Sequence, residues 1–230
     1  MSVALITGAS AGLGLATARA LAARGWTLIV DARRETRLRE AIAGIAGIAD
    51  TTAIPGDIAD PAHREELIDA VRRAGRLDLL INNASRLGPS PQPPLAGYPL
   101  DELERVYQVG VFAPLGLTQS LLGYLAQSRG SLINVSSDAA VEAYPGWGGY
   151  GSAKAALDQI TAVLAAERPE LSVYALDPGD MRTDMHQQAF PGEDISDRPE
   201  PETVVPAVLH LIDRRPDSGR YRASELLITA

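Results

Sequence analysis

Short apolar runs with the composition of strands alternate with longer helical patterns along the whole chain. This alternation constrains the fold more than any other feature, because it is typical of parallel βαβ units whose helices cover both faces of one sheet. The run 77–83 is almost entirely apolar, as in a strand that is buried on both faces. The sequence therefore predicts an α/β fold with a doubly wound parallel sheet of about seven strands.

The predicted elements fill the chain without an internal repeat. Strands are predicted at residues 2–7, 27–31, 52–57, 77–83, 131–136, 172–176 and 226–229. Helices are predicted at residues 13–24, 35–45, 61–74, 101–127, 147–166 and 202–212. The loop 86–99 carries five prolines, so we interpret it as a stiff rim element and not as a linker. The length of 230 residues then predicts one domain, 1–230.

The composition narrows the class of partner. A net charge of −8 opposes binding to nucleic acid or to an anionic membrane surface, because both attract basic proteins. With no cysteine, the chain has no thiol nucleophile, disulfide or thiolate metal ligand, and its three histidines form no metal-ligand pattern. No basic leader precedes the first apolar run, so we predict a cytoplasmic protein that binds a small molecule and no metal.

A glycine-rich turn, TGASAGLG at residues 7–14, joins the first predicted strand to the first helix. Glycines let the backbone approach a pyrophosphate closely, and the amino end of the helix offers free N–H groups and a favourable dipole. In this strand-to-helix context the turn predicts a dinucleotide site in a Rossmann-type sheet, with the cofactor at Gly8, Ser10, Gly12, Leu13 and Gly14. The alternative is a tight turn whose small residues serve packing only.

Lys154 is the only lysine of the chain, and it follows Tyr150 by four residues, which is about one helical turn. The other basic residues are all arginine. This bias indicates that position 154 requires a compact ammonium instead of a planar guanidinium, as in a site where one group tunes another. The alternative is an exposed tyrosine–lysine pair that contributes little to stability.

The glycine spacing and the Tyr150/Lys154 pair together resemble the short-chain dehydrogenase/reductase family, and the resemblance extends over nearly the whole chain. Ser137, thirteen residues before Tyr150, matches the catalytic serine of that family. Besides the glycine turn, the matched cofactor-binding positions are Asp57, Ile58, Asn83, Ala84, Pro178, Gly179 and Thr183, together with Tyr150 and Lys154. Taken singly, most of these residues are no more than turn or strand-end residues.

The resemblance implies hydride transfer between a nicotinamide and a small carbonyl compound or secondary alcohol, with Tyr150 as the acid/base. Reduction of a ketone leaves an alkoxide that needs a proton, and a free tyrosine, with a pKa of about 10, is a weak acid. We expect the Lys154 ammonium to lower the pKa of Tyr150, and the resemblance implies that Lys154 also holds the nicotinamide ribose. Ser137 is expected to hydrogen-bond the substrate oxygen.

Two positions depart from the family pattern. Gly110 stands where members of the family usually carry an asparagine that holds a water beside the lysine, and Ser85 replaces the glycine of an Asn-Asn-Ala-Gly turn. Without the asparagine amide, a proton relay must use an unanchored water or another group such as Gln108. These departures support a second hypothesis, a cofactor-binding protein of this fold with weak or no redox activity.

The choice between NADP and NAD depends on the end of the second predicted strand, where Asp31, Ala32, Arg33 and Arg34 follow one another. An acidic residue there binds the ribose hydroxyls of NAD, and an arginine binds the 2′-phosphate of NADP. Aligned on the arginine pair, Ala32 takes the discriminating position and Arg33 follows it, which predicts NADP. A shift of one residue would make Asp31 a ribose ligand and favour NAD.

The substrate loop of the family corresponds to residues 181–201, where Met185, His186 and Phe190 are the side chains able to contact a ligand. We interpret His186 as a solvated loop residue, and His63 and His210 as surface helix residues. A second group of residues is expected to frame an apolar mouth, namely Ala143, Tyr144 and Trp147 with the prolines of loop 86–99.

The chain lacks the Val-Asp-Gly-Gly tail that is common in tetrameric members of the family. In this respect it is similar to the shorter sepiapterin- and carbonyl-reductase-like branch. The similarity implies a homodimer formed through the fourth and fifth helices, with a tetramer as the alternative.

Overall fold

Seven parallel strands form one sheet in a computed structural model of the protein, which describes residues 1–45 and 47–228. The strands are β1 (Val3–Ile6), β2 (Thr27–Ala32), β3 (Thr51–Pro55), β4 (Leu79–Asn82), β5 (Ser131–Val135), β6 (Ser172–Asp177) and β7 (Gly219–Arg222). Their order across the sheet is β3-β2-β1-β4-β5-β6-β7. The predicted doubly wound parallel sheet is therefore confirmed.

Nine α-helices are found in the described part of the chain. They are α1 (Gly12–Ala23), α2 (Glu35–Ala43), α3 (Pro61–Ala74), α4 (Leu100–Tyr107), α5 (Ala113–Ser128), α6 (Gly148–Glu167), α7 (Asp184–Ala189), α8 (Val205–Arg214) and α9 (Ala223–Ile228). Short 3₁₀ turns lie at Leu95–Gly97, Asp138–Ala140 and Pro201–Val204, and a π-helical turn lies at Gln108–Phe112. The helix α7 was not predicted, since it lies in the segment 181–201 that was interpreted as a loop. Apart from α7 and two regions described below, predicted and observed boundaries differ by at most three residues.

The core has two layers, one on each face of the sheet, because successive side chains of a strand point in opposite directions. In β1, Ile6 packs with the layer that contains Leu21 of α1, whereas Leu5 packs with the layer that contains Leu67 of α3 and Leu117 of α5. Both faces of the central strands are thus buried, which explains why these strands read as continuous apolar runs.

The predicted bounds of α3 agree with the structure because both ends carry clear signals. The Asp60 side chain accepts a hydrogen bond from the Ala62 amide and caps the helix, and Pro61 occupies its first turn. Gly75 ends the helix with a left-handed backbone at φ 70°, a conformation that glycine adopts without steric cost.

The prediction of one regular helix at residues 101–127 is wrong, because the π-helical turn Gln108–Phe112 separates α4 from α5. Pro114 explains the interruption, since it has no N–H to donate to the carbonyl of Gly110 four residues earlier. Leu100–Ser128 is long and apolar enough to cross a membrane, but half of its most apolar window is buried inside the protein. The segment therefore packs partly in the core of the fold.

The predicted last strand at residues 226–229 is also wrong. Residues 226–228 belong to α9, and residue 229 lies outside the described residues. Ala223 and Leu226 are both buried and stand three residues apart, which is helical and not strand spacing. The seventh strand is instead Gly219–Arg222, whose arginine-rich sequence gave no strand signal.

Candidate active site

A cleft of about 430 Å³ opens at the carboxyl ends of the strands, at the point where the strand order reverses between β1 and β4. Ligands of open α/β sheets bind at this type of switch point. Almost all residues predicted for the site line this one cleft, namely Gly8, Ser10, Gly12, Leu13, Arg33, Asp57, Ile58, Asn83, Ala84, Ser137, Tyr150, Lys154, Pro178, Gly179 and Thr183. Gly14 is the exception among the predicted residues.

The glycine turn between β1 and α1 is held tightly from the side of β4. Asn83 Nδ2 donates to the carbonyls of Thr7 and Gly8 at 2.8 and 3.1 Å, and Thr7 Oγ1 accepts from the amides of Asn83 and Ala84. Gly14 contributes to this packing and does not face the cleft, since a Cβ there would lie 2.6 Å from the Gly8 carbonyl oxygen. The structure thus gives Asn83 and Gly14 positions that support the turn.

The amino end of α1 faces the cleft, because its first residue, Gly12, and the preceding Ala11 both line it. No side chain of the described residues caps this end of the helix. Its first amides are therefore free to donate to a bound anion, and the helix dipole favours negative charge there.

Tyr150 and Lys154 lie on the first turns of α6 and are nearly completely buried, with 8% and 3% of their surfaces exposed. Lys154 Nζ donates to the carbonyl of Val135 at the end of β5, at 2.6 Å, and lies 5.5 Å from the centroid of the Tyr150 ring. The neighbouring hydroxyls of Ser85 and Ser137 act to lower the pKa of Tyr150. The structure brings the three predicted catalytic residues together in one cleft, which Ser85 also lines.

The pKa of Tyr150 is raised and not lowered in the protein alone. Burial raises the pKa of Tyr150 to about 12, and the negative charges of Asp138 and Asp177 act in the same direction. The hydrogen bonds with the two serines lower this pKa only in part. Burial also lowers the pKa of the Lys154 ammonium to about 8, against the opposing effect of Asp158. The raised pKa keeps the Tyr150 phenol protonated at neutral pH.

Ser137 is held by neighbours that the sequence interpretation did not include. Its hydroxyl donates to Asp138 Oδ1 at 2.9 Å, and Tyr144 donates to the other carboxylate oxygen at 3.0 Å. Arg220 of β7 donates to the Ser137 carbonyl at 2.9 Å and pairs with Asp177 at 3.1 Å. Asp138 is adjacent to a predicted catalytic residue and thus offered a signal, whereas Arg220 lies in a strand that was not predicted.

Asp31 and His63 form a buried pair beside the glycine turn. Asp31 Oδ1 accepts from the Gly8 amide at 2.7 Å, and Oδ2 lies 3.0 Å from His63 Nε2. The interpretation of His63 as a surface residue is wrong, since only 5% of its surface is exposed. By contrast, Arg33 and Arg34 follow directly on the cleft wall, are exposed, and form no ion pair within the described residues.

The other end of the cleft is lined by Met185 and His186 of α7, by Leu87 at the start of loop 86–99, and by Trp147 just before α6. His186 is not solvated, because its side chain is 10% exposed, with Nδ1 3.7 Å from Asp180 and its ring 4.9 Å from that of Phe190. Phe190 also contacts the Trp147 ring. The predicted mouth residues Ala143 and Tyr144 are exposed and lie outside this lining.

Gly110 lies in the π-helical turn, buried against α6. A Cβ at this position would lie 3.6 Å from that of Ala153, so the fold has room for a small side chain there. Gln108, the alternative relay group, does not line the cleft. Position 110 therefore supplies no polar side chain.

The comparisons with known proteins agree with this geometry. A sequence model of the short chain dehydrogenase family matches residues 2–194. The chain belongs to this family. Sepiapterin reductase of Mus musculus is 34% identical over 202 residues, which cover 82% of this chain and 77% of the relative. The granaticin polyketide synthase ketoacyl reductase 1 of Streptomyces violaceoruber is 35% identical over 198 residues, 81% of this chain and 70% of the relative.

A solved structure supports the same assignment. A short chain dehydrogenase from Escherichia coli CFT073, complexed with NADPH, has a TM-score of 0.87 and 31% identity to this chain, and the alignment covers 96% of both chains. The family resemblance inferred from the motifs is thus confirmed. The chain is a member of this oxidoreductase family and has its Rossmann-type sheet.

Proposed function

We propose that this member of the short chain dehydrogenase family uses NADP and reduces a small carbonyl compound to the alcohol, with Tyr150 as the proton donor. The observation that carries the proposal is the meeting of Ser137, Tyr150 and Lys154 in one cleft with the glycine turn. The assignment of carbonyl chemistry is supported by the reductases among the similar proteins.

The cleft fits a dinucleotide with an extra phosphate. The uncapped amino end of α1 suits the pyrophosphate, and the unpaired Arg33 and Arg34 suit the 2′-phosphate. Asp57 and Ile58 would lie at the adenine, and Pro178, Gly179 and Thr183 at the nicotinamide end. Because an NADPH complex exists among the similar structures, NADP is preferred over NAD in this proposal.

When bound, the reduced cofactor supplies the hydride that reaches the carbonyl carbon. Tyr150 gives its phenolic proton to the substrate oxygen, and its raised pKa keeps the phenol protonated over the whole neutral range until the substrate takes that proton. Ser137 must turn its hydroxyl from Asp138 toward the substrate oxygen in order to stabilise the developing alkoxide. Lys154 lies at the wall beside Tyr150, where it would hold the ribose hydroxyls and stabilise the phenolate that is left.

A second candidate function is cofactor binding with weak or no redox activity. Gly110 favours it, because no side chain at that position can anchor a water beside Lys154. This function and carbonyl reduction differ in one observable: both predict binding of NADPH, but only carbonyl reduction predicts its consumption.

The test is NADPH consumption with a panel of aldehydes and ketones, comparing the wild type with Tyr150→Phe. Tyr124→Phe on α5 is the matched control, since Tyr124 does not line the cleft. We expect kcat to fall at least about 100-fold in Tyr150→Phe, with unchanged NADPH binding and a fully active control. NADPH binding without turnover of any carbonyl compound would support the second candidate function and contradict carbonyl reduction.

A homodimer through the predicted fourth and fifth helices, which correspond to α4–α5 and to α6, and a cytoplasmic location belong to the same proposal. The exposed Phe112, at the junction of α4 and α5, is an apolar side chain that such a dimer would cover. Light scattering coupled to size-exclusion chromatography should give twice the chain mass of 24.3 kDa. A monomer would contradict the dimer, and four times this mass would favour the tetramer.

A further inference from the structure

His63 lies under the cofactor-binding turn, on α3, and its buried ring is directed at one carboxylate. Its Nε2 is 3.0 Å from Asp31 Oδ2, while its Nδ1 makes no hydrogen bond in the described part of the chain and lies 4.0 Å from Glu66. Gly56 makes room for the ring, because a Cβ at that position would overlap the imidazole. The packing therefore holds the His63 ring where its Nε2 contacts the Asp31 carboxylate.

Asp31 stands at the end of β2, where a free carboxylate would bind the ribose hydroxyls of NAD. In this chain both carboxylate oxygens are engaged, Oδ1 by the Gly8 amide at 2.7 Å and Oδ2 by His63. The carboxylate is buried and lies on the same cleft wall as Arg33. Its state thus affects both the glycine turn and the site expected to hold the 2′-phosphate.

We infer that His63 determines cofactor selectivity by occupying the Asp31 carboxylate, a role that rests on the proposed function because it assumes a dinucleotide in the cleft. His63 is a positioning residue that acts through Asp31. It withholds an acceptor from the ribose of NADH, screens a negative charge from the 2′-phosphate of NADPH, and lets Asp31 hold the Gly8 amide in place.

Burial and charge support this role. A carboxylate buried without a partner is costly, and burial raises the pKa of Asp31 while the hydrogen bonds from His63 and Gly8 lower it. Arg33 is exposed, and no ion pair joins it to Asp31 within residues 1–45 and 47–228. His63 is therefore the side chain that compensates Asp31.

The test measures the dissociation constants of NADPH and NADH in the absence of substrate, for the wild type, His63→Leu, Asp31→Asn and the double variant. His63→Leu should lower the preference for NADPH at least about tenfold, because the freed carboxylate repels the phosphate and accepts from the NADH ribose. His210→Leu on α8 is the matched control and should keep the wild-type preference, since His210 does not line the cleft.

The double variant decides whether His63 acts through Asp31. Asp31→Asn removes the charge but keeps an acceptor for Gly8, so it should retain or increase the NADPH preference. In that background, His63→Leu should change the preference less than about twofold, because the carboxylate is gone. An equal loss in both backgrounds would overturn the inference. If His63→Leu does not fold, loss of the NADPH preference in Asp31→Asn overturns it.

Failure of the inference and failure of the proposed function give different results. A wild type that binds neither dinucleotide contradicts the proposed function, and the role of His63 with it. A wild type that prefers NADPH, with the same preference in folded His63→Leu, contradicts only the role of His63. In steady-state kinetics, the expected change lies in the KM values of the two cofactors and not in kcat.

Discussion

Replacement of Lys154 by methionine should make the protein more stable at neutral pH while it removes activity. Lys154 is 3% exposed, and the hydrogen-bond acceptor of its ammonium is the Val135 carbonyl. Methionine has a similar length and no charge to desolvate, so the substitution removes the cost of burying the ammonium. The charge of the Lys154 ammonium is thus expected to serve activity and to lower stability at the same time.

The size of the effect follows from the pKa of Lys154, which burial lowers from 10.5 to about 8. Each pKa unit corresponds to about 1.4 kcal/mol, so the buried charge costs about 3 kcal/mol below pH 8. Methionine leaves the Val135 carbonyl without this donor, which returns about 1–2 kcal/mol of that gain. We expect the free energy of unfolding of Lys154→Met to exceed that of the wild type by about 1–2 kcal/mol at pH 7.

The gain should depend on pH in a defined direction. Between pH 8 and 10.5 the unfolded chain still binds the lysine proton and the folded protein does not, so wild-type stability from this group rises with pH. The difference between variant and wild type should therefore shrink by about 2 kcal/mol from pH 7 to about pH 9.5. Urea unfolding of both proteins at the two pH values measures it. A variant less stable than the wild type at pH 7, or a difference independent of pH, would refute the reasoning.

Three other substitutions test single contacts. Gly151→Ala places a Cβ 2.5 Å from the carbonyl oxygen of Ala139, so the free energy of unfolding should fall by about 1–3 kcal/mol and turnover with it; unchanged urea unfolding would contradict this. Arg220→Met leaves the buried carboxylate of Asp177 without its partner at 3.1 Å. This variant should slow the reverse reaction, alcohol oxidation, in a steady-state assay, and it should bind NADPH as tightly as the wild type in a binding assay. Asn83→Ala removes the hydrogen bonds that hold the glycine turn, so it should weaken NADPH binding about tenfold with little change in kcat. Unchanged NADPH binding would argue against this role of Asn83.

The sequence predicted those parts of the fold and site that depend on local chemistry. The apolar runs predicted the strands β1 to β6, and the capping residues predicted the bounds of α3. The single lysine indicated Tyr150 as a candidate site residue. These signals are short-range, because strand periodicity, helix caps and the i,i+4 spacing are all read within a few residues.

The features that the sequence did not predict correctly depend on long-range contacts. The strand β7 is stabilised by pairing with β6 and by Arg220, which reaches residues from two other elements, so its own residues carry no apolar signal. His63 is buried only because Gly56 leaves space and Asp31 supplies a partner. The raised pKa of Tyr150 results from burial by the whole fold, which spacing along one helix does not reveal.

The ionisation of Tyr150 tests most directly the claim that this residue is the proton donor. The absorbance of the phenolate can be followed as a function of pH in the wild type and in Tyr150→Phe, and the difference between the two reports on Tyr150. Because burial raises the pKa of Tyr150 to about 12, this difference should appear only well above pH 10 in the protein alone, and at lower pH with the oxidised cofactor. A phenolate that forms near neutral pH without cofactor, or a pKa that the oxidised cofactor leaves unchanged, would contradict the claim.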